Sequence, residues 1–206
     1  MKTAIFGGTF DPIHNGHLRI ASAAMSRWGL GRVLFVPAGK PPHKLGATTA
    51  DYEHRFRMVE LACRGNPEFE PSRLEAGAEN SYSIETIEKV RAGLAPGETL
   101  YFLIGADAFA EIRTWKRWRD IVDSVEFLVV SRPGHGYEPP PGARIQRMED
   151  INLRYSSSGI RRDLAAGEGT ADVPAAVMAY IRVHKLYGAP AGSAGQSAPL
   201  KSEGED

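Results

Sequence analysis

The sequence predicts an α/β fold in which an open, mostly parallel sheet carries helices on both of its faces. Short apolar runs alternate along the chain with longer stretches whose apolar residues recur every three or four positions. This alternation is typical of parallel strands separated by helices. The runs 100–104 and 125–130 are almost continuously apolar, as expected for central strands that are covered on both faces.

Six strands are expected from short apolar runs that end at glycine, proline or polar residues. Gly7 and Gly8 end the first strand, Pro37 stops the second, the third is the weakest, and the last is an edge strand. In chain order the predicted strands cover 3–6, 32–36, 69–75, 100–104, 125–130 and 143–148.

Six helices are expected where apolar residues recur at helical spacing. Leu18 and Ala21 begin such a series in the first helix, and Gly29 ends that helix. Asp51 is the expected N-cap of the second helix, and Gly93 ends the third. The predicted helices cover 14–28, 51–64, 83–94, 106–115, 157–166 and 174–187.

The composition limits the classes of protein that the chain can represent. It has 206 residues with 25 Lys+Arg and 25 Asp+Glu, and zero net charge argues against nucleic-acid binding through bulk electrostatics. One cysteine, Cys63, excludes an internal disulfide and a cysteine-based zinc cluster. Without a membrane-length apolar run or a signal-peptide pattern, we expect a cytoplasmic protein that binds neither nucleic acid nor membrane.

Domain organisation follows from where this alternating pattern stops. Residues 1–188 are expected to form a single domain, interrupted by Pro- and Gly-containing loops at 38–49 and 133–142. Residues 189–206 consist mainly of Gly, Ala, Ser and Pro with an acidic end. Such a segment cannot bury a core, so we expect a disordered tail.

The segment 7–18 follows the first predicted strand and opens the first helix. In open α/β sheets, ligands bind beyond the carboxyl ends of the strands, at such turns. Gly7 and Gly8 permit a close approach of a phosphate to the backbone, and the helix start adds unpaired N–H groups. His14 and His17 share one helix face. Taken separately, the glycine pair is a tight turn and the histidines are half of a zinc site without a third ligand.

The whole segment carries a family resemblance. It is similar to the G-x-F-D-P-x-H-x-G-H signature of the nucleotidylyltransferase superfamily, whose members move AMP from ATP, or CMP from CTP in one branch, to an acceptor. The resemblance implies a Rossmann-like sheet and phosphate contacts from the catalytic residues His14 and His17. The nucleotide-binding residues that it implies here are Gly7, Gly8, Thr9, Phe10 and Gly16.

A second motif, Y-S-S-S-G-I-R at 155–161, resembles the I-S-S-T-x-I-R turn of the adenylyltransferases. It departs from that pattern at Tyr155 and at Ser158, which keeps a hydroxyl. Serine hydroxyls and N–H groups at a helix start bind phosphate, and an arginine neutralises charge on leaving pyrophosphate. The alternative is an ordinary N-cap beside a surface arginine. Nucleotide-binding roles are thereby implied for Ser156, Ser157 and Ser158, and a catalytic role for Arg161.

Four further segments resemble bacterial nicotinate-nucleotide adenylyltransferases, and together with the two motifs they span about residues 2–187. They read P-P-H-K at 41–44, S-Y-S-I-E-T at 81–86, I-G-A-D at 104–107 running on to Trp115, and S-R-P-G at 131–134. Ser83 stands where that family usually has Thr.

The resemblance also implies roles for single residues in these segments. Gly105 and Asp107 would bind the nucleotide, with Asp107 also able to help hold Mg²⁺; its alternative role is a helix N-cap. Trp115 would stack on a pyridine ring, although helix packing is an equal alternative. Ser83 would bind the nicotinate carboxylate. Lys44 is assigned as catalytic and Arg132 as substrate-binding, and both would contact phosphates or that carboxylate. The alternative is that they are ordinary solvated cations of loops.

These resemblances imply an enzyme that joins ATP and nicotinate mononucleotide in NAD biosynthesis, with Mg²⁺ accompanying ATP and no protein metal ligand assigned. Three alternatives stay open: a nicotinamide mononucleotide adenylyltransferase, a phosphopantetheine adenylyltransferase, and a nucleotide sensor without turnover. Zero net charge disfavours an RNA-binding protein on a similar core. A homo-oligomer is compatible with the sequence, and Cys63 is expected to be an inert core residue.

Overall fold

The computed structural model describes residues 1–40, 49–78, 80–131, 136–149, 151, 156–168 and 172–189. Within these ranges six strands form one sheet in which every pair of neighbours is parallel, in the order β3-β2-β1-β4-β5-β6. The strands are β1 (Lys2–Gly8), β2 (Arg32–Pro37), β3 (Phe69–Pro71), β4 (Thr99–Gly105), β5 (Glu126–Val130) and β6 (Arg144–Met148). This arrangement confirms the predicted Rossmann-like α/β fold.

Helices cover both faces of the sheet, as predicted. They are α1 (Asn15–Trp28), α2 (Tyr52–Cys63), α3 (Ser83–Ala92), α4 (Ala106–Ala110), α5 (Trp118–Ser124), α6 (Ser157–Ala165) and α7 (Ala175–Val183). Short 3₁₀ helices occupy Ile112–Thr114 and Leu186–Gly188. No helix within the described ranges is long and apolar enough to cross a lipid bilayer.

Two cores lie on the two faces of the sheet because successive strand side chains point to opposite sides. In β1, Ala4 and Phe6 belong to one core and Ile5 to the other. The first core packs against α1, α2, α6 and α7, and the second against α3, α4 and α5. The alternation of strands and helices therefore becomes a three-layer structure.

The helix predicted over 106–115 is wrong beyond its first part. It is divided into α4 and a 3₁₀ turn, and α5 follows as a helix that the sequence did not predict. Arg117 precedes α5 with a left-handed φ of 53°, which separates the two elements. Because α5 has seven residues and buries only Ile121 and Val122, its apolar spacing is too short to give a periodic signal.

The largest of the other boundary differences are in β3, which was predicted to reach residue 75, and in the last helix, which was predicted to reach residue 187. Strand β3 stops at Pro71, since proline donates no backbone hydrogen bond to continue a ladder. The last predicted helix ends at Val183 rather than 187, because Lys185 and Tyr187 adopt left-handed φ values of 52° and 59°. The tail predicted to be disordered lies outside the described residues from 190 onward.

Candidate active site

A cavity of about 790 Å³ opens at the carboxyl ends of the central strands. It lies where β1 and β4 are neighbours and the strand order reverses, which is the place where doubly wound sheets bind ligands. Its lining residues are Phe6, Gly7, Gly8, Thr9, Phe10, Asp11, His14, His17, Ile20, Gly105, Ala106, Asp107, Val130, Ser131, Ile151, Ser156, Ser157, Ser158 and Arg161.

Gly8 is required by the packing of the turn after β1. A Cβ at this position would lie 2.9 Å from the ring of Phe10, closer than carbon atoms can approach. The Phe10 ring is 2% exposed and packs edge-on against Phe6, with centroids 5.6 Å apart, and against His17 at 5.0 Å. The small residue therefore lets the aromatic side chain fold beneath the cavity floor.

The two histidines form the cap of α1, and this cap defines their ring tautomers. The N–H of Gly16 donates to Nδ1 of His14 at 3.1 Å, and the N–H of His14 donates to Nδ1 of His17 at 3.2 Å. Each Nδ1 is an acceptor, so each neutral ring carries its proton on Nε2. The rings lie 3.8 Å apart. Both residues line the cavity, so the cap supplies it with two Nε2–H donors.

Burial keeps both rings neutral. It lowers the pKa of His14 from 6.5 to about 4. Burial also lowers the pKa of His17 well below its usual value, and repulsion from a charged His14 adds to this effect. At neutral pH both imidazoles are therefore uncharged, and each has an Nε2–H group available to donate.

The start of α6 faces the histidines and is fastened to the same loop. Ser156 is its N-cap, with Oγ accepting from the Gly159 N–H at 3.2 Å. The Ser157 hydroxyl donates to the carbonyl of Pro12 at 3.0 Å. Arg161 donates from Nη1 to the carbonyl of Asp11 at 2.7 Å. The serine turn and the arginine thus present hydroxyls, a helix N-terminus and a guanidinium to one cavity.

The carboxylate of Asp11 is a structural anchor under this loop. It is 1% exposed and accepts from the N–H groups of Thr49 and Ala50, at 2.7 and 3.2 Å, and from the Tyr187 hydroxyl at 2.7 Å. Arg161 Nη1 lies 3.8 Å from its Oδ2. Burial and the bond to Asp11 raise the pKa of Tyr187, so the tyrosine remains a donor.

The structure brings most of the residues singled out from the sequence to the cavity. Gly16 does not line it, and its N–H is used by the cap of α1. Lys44 and Arg132 lie outside the described residues. The residues that do line the cavity are Gly7, Gly8, Thr9, Phe10, His14, His17, Gly105, Asp107, Ser156, Ser157, Ser158 and Arg161.

Ser83 and Trp115 do not line this cavity either. Trp115 packs edge-on against Phe102, with centroids 6.3 Å apart, and belongs to the second core. Ser83 begins α3. Lys116 follows Trp115 in the chain and connects it to the start of α3. Its Nζ donates to the Glu85 carboxylate at 2.8 Å and lies 4.0 Å from the centre of the Tyr82 ring. Both predicted substrate residues therefore lie close to the same contact between α3 and the segment before α5.

Sequence reasoning assigned no site role to four residues that shape the site. Ser131, at the end of β5, lines the cavity with a buried hydroxyl that has no hydrogen-bond partner among the described residues. Asp11 was read only as part of its motif. Tyr187 and Arg55 are buried and bond to the loops around the cavity. For Arg55 a signal existed, because a charged residue occupies an inward position on the apolar face of α2.

Comparison with known proteins gives two kinds of likeness. The cytidylyltransferase-like family model matches residues 5–163. A protein of Solibacter usitatus, named probable nicotinate-nucleotide adenylyltransferase, is 62% identical over 91% of this chain and 100% of its own length. One of Thermus thermophilus with the same name is 40% identical over 91% of this chain and 100% of that relative.

A solved structure supports the fold independently. The nicotinic acid mononucleotide adenylyltransferase of Plasmodium falciparum, complexed with NaAD, superposes with a TM-score of 0.73 at 20% identity, covering 91% of this chain and 97% of that one. At this identity the likeness concerns the fold. High identity over the full length of the bacterial relatives, together with the family-model match, places this chain in the nicotinate-nucleotide adenylyltransferase family of cytidylyltransferase-like proteins.

Proposed function

We propose that this chain transfers the AMP group of ATP to the phosphate of nicotinate mononucleotide, giving nicotinate adenine dinucleotide and pyrophosphate in NAD biosynthesis. The observation that carries the proposal is the 62% identity to the Solibacter usitatus relative over that protein's whole length. The site is consistent with it, since the paired histidines, the serine turn and Arg161 surround one cavity at the switch point of the sheet.

The acceptor phosphate supplies the nucleophile of this reaction. One of its oxygens forms a bond to the α-phosphorus of ATP, while the bond from that phosphorus to the bridging oxygen breaks and its electron pair leaves with pyrophosphate. No protein nucleophile is required, and Cys63 is buried, with a thiol pKa raised by burial to about 12. The protein therefore contributes positioning and charge stabilisation.

His14 and His17 would donate from their Nε2–H groups to phosphate oxygens. Negative charge on those oxygens redistributes in the transition state, and fixed donors stabilise it without reorganising. Because both Nδ1 atoms are held by backbone N–H groups, the direction of each Nε2–H is set before the substrate binds. This preorganisation is the main contribution that we assign to the pair.

Arg161 and the start of α6 would bind the leaving pyrophosphate. A guanidinium has five N–H donors, and the bond from Nη1 to the Asp11 carbonyl fixes its orientation. The remaining donors can meet phosphate oxygens, with hydroxyls of the serine turn beside them. Charge that develops on the leaving group is thereby neutralised where it forms.

Mg²⁺ would accompany the ATP phosphates, and Asp107 is the residue that we assign to its side of the cavity. Asp107 lines the cavity from the first turn of α4, directly after β4. A single carboxylate fits an ion that keeps most of its waters. When bound, Mg²⁺ would supply positive charge to the phosphates. Ser83, Trp115, Lys44 and Arg132 are assigned to the acceptor or its phosphate by resemblance.

Label transfer tests the proposed reaction. With ATP labelled at the α-phosphorus, Mg²⁺ and nicotinate mononucleotide, we expect the label in the dinucleotide and one pyrophosphate released for each dinucleotide formed. His17→Ala should keep ATP binding and lower kcat by about 10²-fold to 10³-fold, the usual cost of one transition-state donor. Binding of ATP by the wild-type protein without any labelled dinucleotide would instead indicate a nucleotide sensor.

Arg161 has a matched control on the same helix. Arg161→Ala should lower kcat by roughly 10²-fold or more, because Arg161 lines the cavity. The neighbouring Arg162 is exposed and does not line the cavity, so Arg162→Ala should stay within about twofold of wild type. Equal losses in the two variants would contradict the role assigned to Arg161.

A further inference from the structure

A buried arginine on α2 joins three chain segments beside the cavity. Arg55 is 1% exposed. Its Nη1 donates to the carbonyl of Thr9 at 2.7 Å, its Nε to that of Ala50 at 3.2 Å, and its Nη2 to that of Gly39 at 3.3 Å. These carbonyls belong to the turn after β1, the segment before α2 and the segment after β2. One guanidinium therefore holds three loops in a fixed relation.

The charge of this arginine is balanced inside the same cluster. Burial lowers the pKa of the Arg55 guanidinium, and the nearby carboxylate of Asp11 opposes that shift. Both charged groups contact the same residue, since Ala50 gives its carbonyl to Arg55 and its N–H to Asp11. A buried arginine is tolerated where its donors are satisfied and a negative charge is close.

The shortest of the three hydrogen bonds, from Arg55 to the Thr9 carbonyl, orients the Thr9–Phe10 peptide in the cavity wall. Thr9 and Phe10 line the cavity and Arg55 does not, so the arginine lies behind the peptide that joins them. In a planar trans peptide the C=O and the following N–H point in opposite directions. When Arg55 holds the Thr9 carbonyl, the Phe10 N–H must point away from the arginine, toward the cavity side. That N–H donates to no backbone carbonyl of the described residues.

The peptide needs such a restraint because the backbone beside it is strained. Phe10 has a φ of 49°, a left-handed conformation that bulky residues rarely adopt. Strain of this kind costs on the order of 1–3 kcal/mol and persists only where the surroundings over-determine it. The packed Phe10 ring and the Arg55 bond to Thr9 supply two such restraints.

We propose that Arg55 is a positioning residue: it orients the Thr9–Phe10 peptide so that the Phe10 N–H donates to a phosphate oxygen of the bound nucleotide. This inference rests on the proposed function for the identity of the nucleotide. Arg55 itself touches no substrate. Its contribution is to direct a backbone donor that would otherwise be free to rotate away.

The sequence permits a test that observes this one amide. Thr9–Phe10 is the only Thr-Phe pair in the chain. In protein labelled with carbonyl-¹³C threonine and ¹⁵N phenylalanine, a carbonyl-edited amide spectrum therefore contains the signal of Phe10 alone. ATP is added to the wild-type protein, to Arg55→Met and Arg55→Lys, and to the control Arg57→Met. Arg57 lies on the same helix, where it bonds to Glu60 and is 43% exposed.

In wild type and in Arg57→Met we expect ATP to shift the Phe10 amide proton downfield, as donation to phosphate requires. In Arg55→Met that shift should fall to less than about half, with ATP bound roughly tenfold more weakly or worse. Arg55→Lys should recover part of the Phe10 shift and part of the ATP affinity, because an ammonium can hold one carbonyl where the guanidinium held three. Circular dichroism identifies the variants that are folded.

The same signal separates positioning from a merely structural role. A structural role would leave the Phe10 response of the folded Arg55 variants equal to that of wild type, which would overturn the inference. Absence of an ATP-dependent shift in wild type would overturn it as well, even if no Arg55 variant folds. If wild type shows the shift and the Arg55 variants lose it, yet nicotinate mononucleotide is not adenylylated, the proposed function fails and the positioning role stands.

Discussion

The buried histidine cap of α1 should make the protein sensitive to acid in a way that one substitution removes. His14→Asn deletes the titrating ring, and asparagine is itself a favoured N-cap that can accept the same backbone bond. At pH 7.5 the substitution should therefore change the free energy of unfolding by no more than about 1 kcal/mol. The difference between the two proteins should appear as the pH falls.

The magnitude follows from the pKa of His14. The pKa is about 4 in the folded protein and 6.5 in an unfolded chain, so the unfolded state binds the proton first. Stability from the neutral ring is fully present above pH 6.5 and is lost progressively as the pH falls toward 4. At pH 5.0 this linkage lowers the free energy of unfolding of the wild-type protein by about 2 kcal/mol. Repulsion from His14 also lowers the pKa of His17. His14→Asn removes this repulsion, so the titration of His17 likewise favours the variant over wild type at low pH.

Urea unfolding followed by circular dichroism at pH 7.5 and pH 5.0 measures this difference. We expect His14→Asn to become more stable relative to wild type by about 2 kcal/mol between the two pH values. Ser156→Ala is the control, because it removes a helix cap without a titrating group and should cost about 1 kcal/mol at both. Parallel pH dependence of wild type and His14→Asn, within about 0.5 kcal/mol, would refute the assignment of a neutral buried His14.

Three further predictions concern residues away from the phosphate contacts. Burial of Cys63, with its pKa near 12, should slow its reaction with a disulfide reagent at pH 8 by about 10³-fold relative to the protein in urea; comparable rates would contradict this. Tyr187→Phe removes a donor to a buried carboxylate and should lower the free energy of unfolding by about 1.5–3 kcal/mol, whereas no change in urea midpoint would argue against that bond. Gly39→Ala places a Cβ against the carbonyl of Glu75 and should cost roughly 1–3 kcal/mol in thermal unfolding, while Gly65→Ala, which meets nothing within 4 Å, is the control expected to stay near wild type.

The parts of the site that the sequence predicted are those encoded in contiguous segments. The segments 7–18 and 156–161 each combine a turn with a helix start, so local chemistry indicated a phosphate-binding role for both. Their common location at one cavity follows from the strand order, in which β1 and β4 are neighbours. The alternation of strands and helices predicted a mostly parallel sheet but not that order. The continuous apolar runs that became β4 and β5 predicted two central strands of that sheet.

The parts that the sequence did not predict depend on contacts between distant residues. Arg55 bonds to Thr9 across 46 positions, and Tyr187 to Asp11 across 176. No local pattern assigns a partner to such residues, because the partner is determined by how the loops meet at the end of the sheet. An arginine at an inward helical position indicates that some buried acceptor exists, but not which one. Likewise, the tautomers of His14 and His17 follow from backbone geometry rather than from spacing.

Adenylyl transfer to the acid mononucleotide is the central claim, and parallel turnover measurements test it most directly. Pyrophosphate release is measured with ATP and Mg²⁺ while nicotinate mononucleotide, nicotinamide mononucleotide and phosphopantetheine are offered separately at equal concentration. We predict a kcat/KM for the nicotinate compound that exceeds the other two by about tenfold or more. A preference for the amide or for phosphopantetheine, or no pyrophosphate with any acceptor, would contradict the account.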